Sequence, residues 1–456
     1  MKGSVYTLLI VESPVLAQII QKLSPPSVYV LATEGYCWKP RFDVEQQKLI
    51  AVADPAKRAI RKELKEQSQW ANSVIVATDS DPAGDFIAWS IARFMKANTV
   101  KRGRIHSLSK NGIISMLSDL QEIETDRLET KLKNRYLIKN EWYRNKQLPD
   151  YQLSGLISTF GEPLPYSHFI DENGIRFRSS QPIKATPDEY IEVKSVNNGN
   201  HFPIFHPLST FDLISTAVSS GLALNFFDAQ ALLQQLFETT TDLSNRSLIS
   251  YPRTDARAFY SETWENFQIQ YLKLGSEGRL KPTFLRDIAE PETPHESIHP
   301  LDFSTKPSDV KGELTSNIGD LYALIYDSTI KSITIPDTLN HSYNNELRPD
   351  VYLYPQNNEF TTDSNHSIRP CNTVAELGYR LNEMGVLRPS EFGKSLDDWI
   401  EKGWIRVDQE IISPGRSILQ NMHKAGSLKR MLTQLQKLSD NSSLKVETLR
   451  EIFTSY

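Results

Sequence analysis

Cysteine is scarce. Cys37 and Cys371 are the two in 456 residues and form no CxxC pair, so neither a zinc knuckle nor a disulfide framework is indicated. Long apolar runs are missing too. No stretch approaches ~18 consecutive apolar residues, so no membrane span is expected. The opening MKGSVYTLLIVESP is interrupted by Glu12 and reads as a buried strand rather than a signal peptide, which points to a cytoplasmic protein. No GxxxxGK[ST] string occurs, so no nucleotide is expected as a partner. Neither sign of charge dominates: the formal net charge is −5, and nucleic acid binding would have to rest on a locally basic groove. There is no internal repeat and no long low-complexity run. Present instead is 39% hydrophobic content over a length sufficient for several packed domains.

The apolar pattern predicts parallel strands at 4–11, 28–33 and 73–78, with helices near 54–68 and 84–97, an α/β layer with its site at the strand ends. Residues 105–147 read as helical. Short β-type runs follow over 160–207, two helices over 208–239, a Pro-rich loop over 280–300 and a helix at 316–332. A polar linker is expected at about 355–372. Beyond it, Thr373 and Glu376 fit a capping box. Helices from there to Glu383 and over 391–402, then WIRV as a strand, give a winged-helix-like order.

Four strings carry chemistry. Asp79, Asp81 and Asp85 follow an apolar strand, and carboxylates so spaced can converge on a hard cation such as Mg²⁺. The EF-hand alternative fails because Ala83 and Ser90 stand where ligands are needed. Glu12 ends the first strand and could face Asp79 and Asp81. In LISYPRTD, Tyr251 is a poor nucleophile at its ordinary pKa of about 10. It needs a cation, and Arg253 offers a guanidinium fork for phosphate oxygens. PHESIHP at 294–300 matches HExxH, but the flanking prolines argue against the helix a zinc peptidase needs. A loop presenting His295 to a phosphate is the better reading. In GVLRPS, Arg388 precedes a helix with Ser390 as its cap, a plausible backbone-phosphate contact.

In this order the strings resemble the type IA DNA topoisomerase family. LLIVESP and ATDSDPAGDFIAW are similar to the two motifs of its Toprim domain, LISYPRTDARAF to its tyrosine segment, and PHESIHP to its Pro-His-Glu-x-Ile-Arg-Pro loop. TVAELGYRLNEMGVLRPSEFGKSLDDWIEKGWI is similar to a winged-helix segment. The likeness spans roughly 6–407. It implies a multidomain α/β plus α fold of toroidal architecture. The Toprim (Rossmann-like) domain would take 1–125. A helical gate and DNA-binding domain would take 126–165 plus 366–456, with the winged-helix-like segment at 373–407. A small β arch would take 166–207 plus 333–365, and the tyrosine domain 208–332. By the same resemblance Tyr251 would be the nucleophile, Arg253 would orient the phosphate, Glu12 would protonate the leaving oxygen, and the three aspartates would hold Mg²⁺. His295, Arg388, Ser390 and Arg135 would contact DNA, the expected partner. The chain departs from the pattern at Leu16, where a lysine is usual, at Ala83, where a glutamate is usual, and in lacking a zinc-finger tail. Those departures motivate a second reading, a topoisomerase-like DNA-binding or partner-binding protein with weakened catalysis. Another Toprim enzyme, a primase or nuclease, would account for 1–110 but not for the tyrosine segment.

Overall fold

The computed structural model describes residues 6–454 except 44–45, 47, 80–81, 96–99, 106–107, 109, 162–163, 174, 187–188, 197–204, 240–246, 274–278, 283–285, 290–294, 336–341, 346–347, 356–364 and 440–443. The chain packs as two compact units, one of Met1–Leu148, Gln235–Tyr251 and Gln434–Tyr456, the other of Pro149–Gln234 and Pro252–Thr433. Among the described residues, no helix is long and apolar enough to cross a membrane.

The first unit is built on β1 (Thr7–Val11), β2 (Val28–Ala32), β5 (Ser73–Val76), β6 (Val100–Arg102) and β7 (Gln121–Glu122), in the order β2-β1-β5-β6-β7. The first four are parallel and β7 runs antiparallel. Parallel strands are covered on both faces, which is why they are continuous apolar runs rather than alternating ones. Leu8, Leu9, Ile10, Val74 and Val76 are fully buried, each stabilising by about 2 kcal/mol. The cover is α1 (Pro14–Leu23), α2 (Arg58–Trp70), α3 (Pro82–Phe94), α4 (Lys110–Ser118) and α5 (Thr125–Arg144). Phe86 and Trp89 of α3 pack into the same core. A hairpin of β3 (Trp38–Asp43) and β4 (Lys48–Ala53) lies in the first unit as well. So does α16 (Val446–Thr454), whose Phe453 meets Trp142 edge to face. The strand β1 has β2 on one side and β5 on the other, so the order reverses between β1 and β5. Sheets of this kind open a crevice at that switch point, outside the carboxyl ends of the strands.

The second unit holds a closed barrel. Its strands are β8 (Leu164–Asp171), β9 (Arg176–Ala185), β10 (Ile191–Val196), β13 (Ser342–Asn345), β14 (Arg348–Pro355) and β15 (His366–Pro370), closing as β10-β13-β14-β9-β8-β15. Phe169, Phe177, Val193, Tyr343, Leu353 and Ile368 fill it. The expected linker over 355–372 therefore contains β15. Its inward residues include His366, held at 2.9 Å by Asp171, and a polar residue facing inward hides the apolar alternation. A second core gathers α9 (Ser261–Lys273) and α11 (Ser316–Ile333), with the short α10 (Pro307–Val310) and the pair β11 (Arg279–Leu280) and β12 (Thr334–Ile335). The remaining helices are α6 (Tyr151–Gly161), α7 (Thr210–Ser219), α12 (Val374–Glu383), α13 (Phe392–Glu401) and α14 (Arg416–Leu419). Two more, α8 (Phe226–Glu238) and α15 (Ala425–Leu438), are divided between the units.

The winged-helix-like order is present: α12 and α13 are followed by an antiparallel sheet of β16 (Asn372–Thr373), β18 (Ile411–Pro414) and β17 (Ile405–Asp408). Gly385 and Gly403 end the two helices at φ +67° and +65°, a conformation that costs side-chain-bearing residues more than glycine. Half of the capping box forms. Thr373 accepts from the Glu376 N–H at 3.3 Å, but the Glu376 carboxylate turns away to Ser167 N–H and His168. Ser390 is not the cap of α13. It lies inside a 3-10 turn, Pro389–Glu391, whose N-cap is Arg388, and its carbonyl accepts from Gln230 at 2.6 Å.

Candidate active site

The register of β1 and β5 pairs Ile10 with Val76. Glu12 and Thr78 lie two residues further on, so Glu12 and Asp79 leave adjacent strands at one edge, on the switch-point side. The turn into α3 is tight. Thr78 Oγ1 donates to the Gly84 carbonyl at 2.9 Å, and a Cβ on Gly84 would sit inside the Asp79 carbonyl. Asp85 occupies the first turn of α3, where a helix N-terminus favours negative charge. Asp81 lies outside the described residues.

One residue that the sequence reading missed completes this edge. Arg102, on the strand next to β5, donates to the Thr78 hydroxyl and to the Asp79 carbonyl at 2.8 Å. Its guanidinium lies 3.9 Å from the Asp85 carboxylate. The signal available in sequence was a basic pair, Lys101-Arg102, ending an apolar position at Val100, which is weak. The donor chemistry here, hard carboxylate oxygens at strand ends, suits a cation of the Mg²⁺ type. Yet Arg102 covers one approach to Asp85, and among the described residues no three His, Cys, Asp or Glu side chains gather closely enough to hold a metal ion. Leu16, on α1, is buried and offers no charge to this edge.

Tyr251 ends the segment that packs in the first unit. Ser247 N–H donates to the Leu108 carbonyl at 3.0 Å, Leu248 and Ile249 are buried, and the Tyr251 ring meets Phe237 edge to face at 5.8 Å. Tyr251 itself is 9% exposed.

In the second unit, Pro252 and Thr254 are clasped by Thr210, whose hydroxyl donates to the Pro252 carbonyl and accepts from the Thr254 N–H, both at 2.8 Å. Arg253 is half-buried beside them. His295 is 8% exposed, and its carbonyl accepts from Thr254 at 3.4 Å. Residues 295–299 are not helical. Glu296 accepts from Tyr260 N–H and Thr263 and lies 3.1 Å from His299 Nε2, so that pair is engaged in structure and the HExxH string is no zinc site of the peptidase kind. Arg388 and Ser390 are half-buried at the turn before α13, and Arg135 is half-buried on α5.

The second unit also holds a half-buried charged cluster that the sequence reading did not find. Arg257 pairs with Asp212 at 3.0 Å, stacks over the Tyr379 ring at 4.0 Å, and Tyr379 donates to Asp212 at 2.8 Å. Burial raises the Asp212 pKa, but Arg257, the Ser209 N–H and Tyr379 outweigh it and leave the carboxyl well below the usual range. Burial likewise pushes Glu376 up, and His168, Arg380 and Arg257 overcome it, holding Glu376 at about 2.

The chain carries a Toprim domain and has a fold similar to that of type IA topoisomerases. Residues 7–108 match the model of the Toprim domain. Over 420 residues the chain is 21% identical to DNA topoisomerase 1 of Mycoplasmoides gallisepticum, an alignment that covers 71% of this chain and 58% of that protein. The chain thus spans less than two thirds of that relative. The full-length topoisomerase I structure from Thermotoga maritima superposes with a TM-score of 0.64 at 16% identity, covering 98% of this chain and 89% of that one, which fixes the fold.

Proposed function

We propose that the protein cuts and reseals one DNA strand through Tyr251, relaxing negative supercoils or unlinking strands. The phenol oxygen attacks the phosphorus, a 5′-phosphotyrosine forms, and the P–O bond to the 3′ oxygen breaks. The phenolic proton passes to water, and Glu12 gives a proton to the leaving 3′ oxygen and recovers it at resealing. Arg253 and His295 bind the phosphate oxygens, while Arg388, Ser390 and Arg135 hold the strand by its backbone. Asp79, Asp81 and Asp85 would hold Mg²⁺, which supplies charge neutralisation beside the phosphates. The phosphotyrosine conserves the energy of the broken bond, so no nucleotide is consumed, and such a protein would work in the cytoplasm at the nucleoid.

The observation that supports this reading most is that the segment ending in Tyr251 packs in the same unit as the strand ends bearing Glu12, Asp79 and Asp85. The test is incubation with a single-stranded oligonucleotide and Mg²⁺ followed by denaturation. A covalent adduct is expected with the native chain and none with Tyr251→Phe, whose folding is otherwise unchanged. Adduct formation that survives that substitution, or its absence from both proteins, overturns the proposal.

A second reading, DNA binding without turnover, draws support from Arg102 beside Asp85 and from the buried Leu16. It expects salt-sensitive DNA binding and no adduct at any Mg²⁺ concentration.

A further inference from the structure

The second unit contains a cavity of about 150 Å³ between the barrel and α7. His168, Arg178, His206, Arg257, Thr373 and Glu410 are on its wall. Its charges pair off in turn. Asp212 is taken by Arg257, and Glu410 lies 3.4 Å from Arg176. His168 Nδ1 is 3.0 Å from Glu376, and His206 Nδ1 is 3.0 Å from Asp287, which also has Lys281 at 3.9 Å. Arg178 is left over. Among the described residues no carboxylate lies within ion-pair distance of its guanidinium and no acceptor takes its hydrogens. Burial and the neighbouring Arg257 lower its pKa, the mark of a cation short of countercharge. Arg178 is half-buried on the cavity wall, so its hydrogens face the space that a ligand would enter.

From this geometry we infer that the cavity is a subsite for a single phosphate, anchored by Arg178 and flanked by His168 and His206. A guanidinium meets phosphate oxygens through two parallel hydrogen bonds. The His206 ring is oriented by Asp287 at Nδ1, and His168 stands on the same wall beside Arg178. The cavity has room for a phosphate group. The site does not depend on the tyrosine chemistry proposed above. The anion is either a phosphate of a nucleic acid strand, with its bases outside, or free phosphate.

The whole chain is titrated with inorganic phosphate at constant ionic strength in chloride, with binding read by calorimetry and by thermal unfolding. The native chain is expected to bind and to gain melting temperature. Arg178→Gln is expected to lose more than about tenfold in affinity, and Arg178→Lys to retain part of it. His206→Gln, on a loop outside the barrel, serves if the Arg178 variants do not fold, and is expected to weaken binding as well. No binding by the native chain, or equal binding by native, Arg178→Gln and His206→Gln proteins, overturns the inference. An oligodeoxythymidylate then separates the sources. Competition with phosphate, together with weaker oligonucleotide binding in Arg178→Gln, supports the strand phosphate. Phosphate binding that the oligonucleotide leaves untouched supports the free anion.

Discussion

Two acidic clusters show opposite designs. Around Asp212 the carboxylate is ringed by Arg257, Tyr379 and the Ser209 N–H, so both of its oxygens have fixed donors within the protein. Around Asp79 and Asp85 the side chains are half-buried, and the cation nearest Asp85, Arg102, stands off at 3.9 Å while spending its hydrogen bonds on Thr78 and the Asp79 carbonyl. Arg102 therefore fixes the backbone of the loop more than it satisfies the acid. Such a hydrogen-bonded network rigidifies a fold and leaves the carboxylate little to offer a ligand. Asp85, beside a sheet switch point with its cation standing off, keeps more of its charge for something that arrives.

The sharpest way to break this contrast is to remove one acid from each side. Asp212→Asn leaves the half-buried Arg257 without its counter-ion, and a loss of up to about 3 kcal/mol is expected in denaturant unfolding. If that variant unfolds at the native midpoint, the cluster is not structural.

Acid titration probes the same side next. Glu376 has a folded pKa of about 2, below its ordinary 4.5. A depressed carboxyl stabilises above its unfolded pKa and loses that contribution as pH falls through the folded one. The window is thus about pH 4.5 down to 2, and the group's share is at most about 3 kcal/mol. Glu376→Gln is expected to flatten stability against pH across that window while lowering it at neutral pH. An unchanged slope would show that the His168 pairing carries no free energy.

Gly84→Ala tests the open side. Its Cβ would collide with the Asp79 carbonyl, a backbone atom that moves only with the loop. A cost of about 1–3 kcal/mol is expected, as for overpacking elsewhere, accompanied by loss of any adduct at Tyr251. Stability and adduct yield matching the native chain would show that the turn tolerates displacement.

The two clusters were also unequal in legibility. The acidic edge could be read because its parts are local. An apolar run followed at once by Asp79 signals a strand end, and Glu12 ends a second such run. The barrel and its neighbouring charges were hidden by sequence distance and by inward polar residues. Asp212 meets Arg257 across 45 positions and Tyr379 across 167, and no period in a local window reports such a meeting. His366 disguised β15 as a linker. Thr373 and Glu376 were recognised as a cap, yet His168, some two hundred residues upstream, won the carboxylate. Tyr251 was identified through its neighbours in sequence, but nothing in them foretold the Phe237 ring that covers it.

The smallest effect expected is the most discriminating. Asp85→Asn removes an acid 25% exposed whose cation is 3.9 Å away, a pair of the sort that contributes at most about 1 kcal/mol. Stability should therefore shift by less than about 1 kcal/mol, since Arg102 keeps its bonds to Thr78 and Asp79. If the open acids receive Mg²⁺, the same substitution should raise the Mg²⁺ concentration needed for half-maximal thermal protection of the native chain. A clear loss of stability with no change in that Mg²⁺ requirement would place Asp85 with Asp212, as a structural acid, and the contrast between the two clusters would fail.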